Sequence, residues 1–415
     1  MSLLPTLVVF VATYVLIAFR RLSILPVGRP AGALAGACAM VGLASLDPRW
    51  GIAPNEAFAS VEPNTIGLLL GMMLITAALA DAGFFELAAG WLVARRPSPV
   101  RLLYGVTIGA GLLSAVLVND PVCVLLAPVV DATARRARLQ RVPYLLALAM
   151  GANAGSAMTL AGNPQNMLVA HLSGIPYRSY LVHAGPAGLV ALFVSAAVLH
   201  LLFRKSLAST NDAPKSVPPP AASPRDLRLA MAIVLAVSVA FLAGANLAFT
   251  ALTGAATLML VRKRDPGALF GRVSWTVLVF FGALFIVAAA FQRTGLVEAA
   301  LDSTRPYLPT DPAASIAALS GILTVGCQVV SNVPFILLAE PWIKTLPDPT
   351  LAWTVTAVAS TLAGNLTLLG SVANIIVVET AGAEEEIGFW TYLRAGLPVT
   401  IASMIAAIGL LLVMR

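Results

Sequence analysis

Residues 117–130 read LVNDPVCVLLAPVV and place an Asn-Asp pair inside an otherwise apolar run. Asp120 is the only charged residue between Arg101 and Asp131. Insertion of a carboxylate at the centre of a bilayer costs about 2.5–3.5 kcal/mol on insertion scales. Asp120 therefore needs a structural or functional role that offsets this cost.

The composition indicates a membrane protein. Of the 415 residues, 59% are hydrophobic and 11% are charged, and the mean hydropathy is +0.89. Soluble domains carry about 25% charged residues. Apolar runs of about 20 residues, the length that crosses a bilayer, recur from Pro5 to Met414. The sequence therefore predicts a polytopic protein in a lipid bilayer.

The basic residues behind the net charge of +7 lie in short loops between apolar runs. This distribution is typical of cytoplasmic loops, and it gives no reason to expect a nucleic-acid partner. The clusters are Arg20/Arg21, Arg95/Arg96/Arg101, Arg135/Arg136/Arg138/Arg141, Arg204/Lys205 and Arg262/Lys263/Arg264.

An internal repeat lies on the two sides of a Pro/Ser/Ala-rich segment at 205–226, which is expected to be a cytoplasmic linker. AGFFELAA (82–89) matches TGLVEAAL (294–301), and VNDPVCVLLA (118–127) matches VSNVPFILLA (330–339), both at an offset of 212. TLAGNPQNMLV (159–169) matches TLLGSVANIIV (367–377) at an offset of 208. The repeats are therefore assigned to 1–204 and 227–415.

The loop charges predict a re-entrant hairpin at 102–130. This segment begins and ends beside basic clusters, so a single crossing would place one cluster outside the cell, against the positive-inside rule. A hairpin with its tip at Asn119-Asp120-Pro121 keeps both clusters inside. A span at 143–173 follows, and Gly162-Asn163-Pro164 should break it, because proline removes a helix hydrogen bond.

Each half then contains five transmembrane spans and one hairpin. Because five is odd, the second half is inverted, with its hairpin at 312–345, its tip at Ser331-Asn332-Val333 and a broken span at 350–380. The expected fold is an all-α polytopic membrane protein of two inverted repeats with broken helices at the midplane. Both termini are expected on the extracytoplasmic side of the cell inner membrane. Such architecture is typical of secondary transporters.

Asp120 has two compatible interpretations. It can be the N-cap of a helix whose first residue is Pro121. It can also be a proton or cation site that titrates during transport, as intramembrane carboxylates commonly are. Asn119 and Asn332, at the two tips, are expected to share this coupling role.

The broken spans are rich in small polar residues, which either hold transmembrane helices together or contact a polar solute. Ser156 and Thr361 fit the first interpretation as well as the second. Four helix ends, two tips and two breaks, are expected to converge on the solute. The candidate substrate-binding residues are Asn119, Asp120, Asn153, Ser156, Thr159, Asn163, Asn166, Ser331, Asn332, Thr361, Asn365, Thr367, Ser371 and Asn374.

Four motifs, VNDPVCVLL, NAGSAMTLAGNPQNMLVA, VSNVPFILL and STLAGNLTLLGSVANIIV, resemble the ion-transporter superfamily of arsenite permeases, D-type sodium/proton antiporters and divalent-anion/sodium symporters. The chain is most similar to the branch of plant silicic-acid efflux transporters and bacterial arsenite- or anion-permease-like proteins. The resemblance implies a homodimer with a scaffold part and a mobile, elevator-like part. It also implies a site at Asn119, Asp120, Asn163, Asn166, Ser331, Asn332, Ser371 and Asn374.

The leading expectation is proton-coupled efflux of a small uncharged oxyacid, such as silicic or arsenous acid. The alternatives are a sodium-coupled importer of carboxylates or other anions, and a sodium/proton antiporter. No catalytic constellation, cofactor motif or metal-ligand spacing indicates an enzyme. The expected coupling ion is H⁺, with Na⁺ as the alternative.

Overall fold

A computed structural model of the protein is helical, and within the residues it describes it contains no strand. Among the described residues, six helices are long and apolar enough to cross a membrane, and three shorter apolar helices accompany them. The predicted all-α membrane fold is confirmed. The described residues are 3–18, 29–94, 98–208, 223–262, 265–304 and 309–414.

The helices of the first half are α1 (Leu4–Ala18), α2 (Arg29–Leu46), α3 (Pro54–Ser60), α4 (Pro63–Asp81), α5 (Phe84–Ala94), α6 (Pro99–Val116), α7 (Asn119–Arg136), α8 (Val142–Ser156), α9 (Pro164–Ser173) and α10 (Tyr177–Leu207). The helices of the second half are α11 (Pro224–Leu242), α12 (Leu247–Arg262), α13 (Gly267–Phe270), α14 (Trp275–Gln292), α15 (Leu296–Thr304), α16 (Pro312–Val330), α17 (Asn332–Ile343), α18 (Pro349–Ala363), α19 (Val372–Thr380) and α20 (Phe389–Val413).

Helices α6 and α7 form the first re-entrant hairpin, called hairpin one below. Helix α8 runs parallel to α6, because the Tyr144 hydroxyl donates to the Pro99 carbonyl at their starts and Gly155 packs on Gly111 near their ends. A loop of five residues joins the end of α7 to the start of α8. The end of α7 therefore lies beside the start of α6, and the chain turns back at residues 117–118.

Helices α16 and α17 form the corresponding hairpin two. Gly326 and Phe335 face each other across it, since a Cβ at Gly326 would lie 2.1 Å from the Phe335 ring. The end of α16 meets the end of α18 where Gln328 Nε2 donates to the Ala363 carbonyl at 2.8 Å. Helix α16 therefore runs parallel to α18, as α6 runs parallel to α8.

The start of α7 differs from the prediction. The helix begins at Asn119 with Val118 as the extended N-cap, so Asp120 lies in the first turn and is not the N-cap. The cause is the Asn119 N–H, which donates to the Gly162 carbonyl at 3.0 Å and fixes the preceding chain. Pro121 is tolerated because the first N–H groups of a helix have no intrahelical partner.

Both predicted helix breaks are present. Residues 157–163 separate α8 from α9, and Asn163 caps α9 by accepting from the Asn166 N–H at 2.8 Å. Residues 364–371 separate α18 from α19 and include a 3₁₀ turn, Leu368–Gly370. These segments are called break one and break two.

Contacts between the halves show that the broken spans run in opposite directions. Arg141, at the start of α8, donates to the carbonyls of Ala381 and Gly382 and to Glu386, all just beyond the end of α19. We call this side of the protein face B. The opposite side, face A, carries Glu62 and His171, whose carboxylate and Nδ1 lie 3.2 Å apart. The inverted arrangement of the repeats is confirmed.

The predicted linker at 205–226 is partly described. Helix α10 continues to Leu207 and α11 begins at Pro224, so both ends of the segment are helical. Residues 209–222 lie outside the described residues. The same is true of Arg20, Arg21, Arg95, Arg96, Lys263 and Arg264 from the basic clusters.

Helices α6 and α8 pack backbone to backbone through small residues. A Cβ at Gly155 would lie 2.1 Å from the Gly111 carbonyl oxygen, and a Cβ at Gly151 would lie 2.5 Å from the Thr107 carbonyl oxygen. Such small-xxx-small contacts let transmembrane helices approach closely. The contact fixes hairpin one on the first broken span.

We expect Gly155→Ala to lower the free energy of unfolding by about 1–3 kcal/mol, because the added methyl group must separate α6 from α8. Gly109→Ala, on α6, is the matched control, since a Cβ there meets no atom within 4 Å. It should be neutral or stabilising by about 0.5–1 kcal/mol, because glycine is unfavourable within helices. Thermal melting in detergent compares the two; equal losses would contradict the close contact.

The Arg141 cluster on face B predicts a pH effect. The hydrogen bond from the Arg141 guanidinium holds the pKa of Glu386 below its usual range. A carboxylate with a depressed pKa stabilises the folded state above its unfolded pKa of about 4.3 and loses that contribution as the pH falls. Melting temperatures of Glu386→Gln should therefore fall less between about pH 6 and pH 3.5 than those of the parent. The exposed Glu384→Gln variant should follow the parent.

Candidate functional site

The two hairpin tips, the start of α9 and break two meet around one small cavity of about 30 Å³. This volume holds a few water molecules or a small ion, because one water needs about 10–15 Å³ on the same measure. The lining residues are Asn119, Asp120, Pro164, Gln165, Phe280, Phe281, Ser331, Asn332, Val333, Leu369, Gly370, Ser371 and Val372.

Four helices begin at this cavity: α7, α9, α17 and α19. The first N–H groups of a helix have no intrahelical partner, and each N-terminus carries about half a positive charge. The lining includes one carboxylate, Asp120, and no Lys, Arg or His side chain among the described residues. The cavity therefore combines the positive ends of four helix dipoles, which attract electronegative oxygen atoms, with one ionisable acid.

Tip one is bonded to break one. Asn119 donates from its N–H to the Gly162 carbonyl at 3.0 Å and from Nδ2 to Asn153 Oδ1 at 3.1 Å. Its Oδ1 atom is buried without a hydrogen-bond partner. Asp120 is 5% exposed, and its carboxylate makes no hydrogen bond or ion pair with the described residues.

Tip two has a different backbone. Ser331 has φ 75° and ψ 158°, a conformation that side-chain-bearing residues rarely adopt. Such a residue costs of order 1–3 kcal/mol and persists only where its surroundings hold it. Asn332 Oδ1 is buried without a hydrogen-bond partner, as Asn119 Oδ1 is in tip one.

One asparagine closes each break in the same way. Asn166 Nδ2 donates to the carbonyls of Ser156 at 3.1 Å and Thr159 at 2.9 Å. At the offset of 208, Asn374 Nδ2 donates to the carbonyls of Gly364 at 2.7 Å and Thr367 at 3.0 Å. Each amide thus supplies a donor to the Ser156 or Gly364 carbonyl and a second donor to the Thr159 or Thr367 carbonyl, which also accepts from the N–H of Gly162 or Gly370.

The two broken spans are also bonded to each other. Asn153 Nδ2 donates to Asn374 Oδ1 at 2.9 Å, and its counterpart Thr361 donates to Asn166 Oδ1 at 3.1 Å. Asn163 Nδ2 donates to Thr361 Oγ1 at 3.1 Å, and its counterpart Ser371 donates to Asn153 Oδ1 at the same distance. These reciprocal bonds make the centres of the two repeats one polar network.

The structure divides the candidate substrate-binding residues into two groups. Five line the cavity: Asn119, Asp120, Ser331, Asn332 and Ser371. The other nine lie behind it, where their side chains bond mainly to one another and to nearby carbonyls: Asn153, Ser156, Thr159, Asn163, Asn166, Thr361, Asn365, Thr367 and Asn374. Substrate contact by any of these residues stays a prediction.

Sequence reasoning missed several residues of the site. Phe280 and Phe281 reach the cavity from α14, whose uniformly apolar sequence gives no signal of such a role. Gln165 also lines the cavity, and its place between Pro164 and Asn166 was the available signal. Gln328 bonds hairpin two to break two, and a polar residue shortly before the tip could have indicated it.

Among the described residues, no group of three His, Cys, Asp or Glu side chains could hold a metal ion. The Asp120 carboxylate can bind a proton, and together with Asn119 Oδ1 and Asn332 Oδ1 it can accept from a hydroxyl donor or coordinate a small cation. The cavity therefore presents one ionisable acid and two amide oxygens without described donors.

Inverted repeats, re-entrant hairpins and broken helices around a central polar cavity define a secondary transporter. The sequence profile of the CitMHS family, described as a citrate transporter, matches residues 14–363. The chain belongs to this family, and the resemblance drawn from its motifs is confirmed.

Known proteins similar to the chain are also transporters. The rice (Oryza sativa subsp. japonica) silicon efflux transporter LSI3 is 30% identical, over 98% of this chain and 96% of its own. The putative transporter arsB of Dictyostelium discoideum is 25% identical, over 95% and 90%. The YdaH transporter of Alcanivorax borkumensis has a similar fold, with a TM-score of 0.59 at 16% identity over 99% and 98% of the two chains.

The break network predicts that Asn166→Ala and Asn374→Ala each destabilise the protein. Each variant leaves one buried carbonyl, that of Ser156 or of Gly364, without its donor, at a cost of about 1–3 kcal/mol. Gln165→Ala is the neighbouring control, because the Gln165 amide makes only a 3.4 Å bond to Thr361 within the described structure. Melting temperatures of the three variants test the network; a control that loses as much stability as Asn166→Ala would contradict it.

Proposed function

We propose that the protein exports a small uncharged oxyacid, such as silicic or arsenous acid, in exchange for protons. The observation that carries the proposal is the set of acceptors beside the cavity that have no donor among the described residues: the Asp120 carboxylate, Asn119 Oδ1 and Asn332 Oδ1. The hydroxyl groups of a neutral oxyacid donate to such acceptors. The oxygen atoms of the same solute accept from the N–H groups at the four helix starts.

The cavity lining and the relatives support this class of solute. With no basic side chain in the described lining, a multiply charged anion would depend on helix N-termini alone and would face Asp120. One relative is named a silicon efflux transporter and another a putative transporter arsB. A hydroxyl-rich neutral solute agrees with both names.

Proton coupling follows from the energetics of a neutral solute. Such a solute gains nothing from the membrane potential, whereas one proton moving inward supplies about 2.3 kcal/mol per 100 mV. Asp120 is the one carboxylate in the described lining of the cavity. It would alternate between a protonated state and a state that accepts hydrogen bonds from the solute.

A second candidate is sodium-coupled import of a carboxylate or another anion. It is favoured by the four helix N-termini at the cavity and by the description of the family as a citrate transporter. The unpaired amide oxygens would then be ligands for Na⁺. A cavity of about 30 Å³ must open further to admit citrate than to admit an oxyacid.

Several features of the transport cycle belong to the same proposal. Face B carries Arg135, Arg136 and Arg141, so the positive-inside rule makes it cytoplasmic. Helix α1 begins on the opposite side, where Thr6 donates to the Trp50 carbonyl in the loop before α3, so the N-terminus is extracytoplasmic. Helix α20 starts just after Glu386 on face B and ends on face A. A homodimer with an elevator-like mobile part in the cell inner membrane completes the proposal.

Asp120→Asn should abolish solute flux driven by a pH gradient in proteoliposomes, because the amide cannot carry a proton. It should leave folding intact, since the Asp120 carboxylate has no hydrogen bond to a described residue that the substitution would remove. Glu385→Gln, an exposed carboxylate in the loop after α19, is the control and should transport normally. Full pH-driven flux by Asp120→Asn would remove this residue from the coupling mechanism.

The two candidate functions differ in solute and ion. Flux of silicic acid, arsenite and citrate should be compared with an imposed proton gradient and with an imposed sodium gradient. We expect silicic acid or arsenite to move with the proton gradient and to be indifferent to sodium. Sodium-dependent citrate uptake without oxyacid flux would favour the second candidate.

A further inference from the structure

We propose that hairpin two is the gate of the cavity and that Gln292 is the positioning residue that holds it closed. The proposal deepens the transport function above, on which it rests, since a carrier must open its cavity to one side at a time. It starts from a difference between two hairpins that are otherwise related by the repeat.

Hairpin one is bonded directly to the broken span behind it. Tip one donates to break one through the backbone of Asn119 and to α8 through its side chain. The Thr159 hydroxyl in break one donates to the Ala115 carbonyl of α6 at 2.6 Å. Hairpin one and break one therefore form one body.

Hairpin two lacks the equivalent bonds at its tip. Within the described structure, neither Ser331 nor Asn332 makes a hydrogen bond to break two. The Thr367 hydroxyl, the counterpart of Thr159, donates to the side chain of Gln328 at 2.7 Å and not to the α16 backbone. Among the described residues, hydrogen bonds thus connect the first arm of hairpin two, α16, to break two. The second arm, α17, has no such bond to break two.

The second arm is bonded to α14 instead. Pro341 lies inside α17 and has no N–H, so the Leu337 carbonyl four residues earlier has no intrahelical donor. Gln292 Nε2, at the end of α14, donates to this carbonyl at 2.6 Å. At the offset of 212, the position corresponding to Gln292 is Ala80, which has no side-chain donor.

The position of this bond gives the direction of opening. Helix α17 runs from the cavity to face A. Arg293, next to Gln292, pairs with Glu56 of α3, which precedes Glu62 on that face. When α17 moves away from α14, the bond to Leu337 breaks and the cavity opens towards face A. The strained backbone of Ser331 at the tip is the point where the arm can pivot.

The test is cysteine labelling of Val333→Cys, a cavity position on tip two, in full-length protein whose three native cysteines are replaced by alanine. A membrane-impermeant maleimide is applied from face A. Gln292→Leu should raise the labelling rate about two- to tenfold, the range that one hydrogen bond of this kind is worth. Pro341→Ala should also raise it, because the substituted alanine supplies the missing N–H and opening then leaves no carbonyl unpaired.

The double variant makes the test specific. Gln292→Leu combined with Pro341→Ala should label no faster than the faster single variant. Both substitutions remove the same energetic difference between the closed and open states, namely the loss of the Leu337 carbonyl's donor on opening. Arg293→Gln, which loses only the neighbouring pair with Glu56, should label like the parent. A Val118→Cys reporter, at a position buried in hairpin one outside the cavity lining, should be unaffected by Gln292→Leu.

Three results would overturn the gate: unchanged labelling in Gln292→Leu, independent and multiplicative effects of the two substitutions, or an equal rise at Val118→Cys. If Gln292→Leu does not fold, the labelling rate of Pro341→Ala alone tests the gate, since this substitution restores a regular helix. The assay needs no solute, so an incorrect oxyacid assignment leaves its outcome unchanged. Failure of the gate likewise leaves the Asp120 flux measurement intact.

Discussion

The fold depends on satisfying backbone groups where two helices stop inside the membrane. Irregular backbone at membrane depth is tolerated only inside protein or beside a water-filled cavity. Asn166 and Asn374 meet this requirement by donating to two carbonyls each across their breaks. The amides thus hold together the ends of breaks that lead into α9 and α19, two of the four helices that begin at the cavity.

The same amides connect the halves, because their oxygens accept from residues of the opposite repeat. A side chain that only closed its own break would leave the breaks free to shift relative to each other. The reciprocal bonds instead keep both breaks at one level, so α9 and α19 begin beside the same cavity. Polar residues that look like a solute site in the sequence therefore act in this conformation mainly as its support.

Structural elements that depend on a nearby residue, such as a proline, or on the internal repeat could be predicted from the sequence. Pro164 marks a break, and loop charges with the repeats place the turns near 119 and 331. The sequence alone could not show that Asn153 lies inside the polar network whereas Asn119 lies at the cavity. Both are asparagines in runs of small or apolar residues. The positions of Phe280 and Phe281 at the cavity could not be predicted either, since only tertiary packing distinguishes a cavity-facing phenylalanine from its lipid-facing neighbours. The start of α7 was misplaced because a carbonyl from break one, distant in sequence, fixes it.

Under the proposed function, the departures from symmetry would separate ion coupling from access to the cavity. At matched positions, hairpin one has Asp120 where hairpin two has Asn332, and Val116 where hairpin two has Gln328. The acid thus lies on the hairpin that is bonded to its broken span. The neutral tip lies on the hairpin whose second arm is held to α14 by the Gln292 bond. In the proposed mechanism, a titrating group on the moving arm would couple every opening to its charge state, whereas this division would keep the coupling acid off the gate.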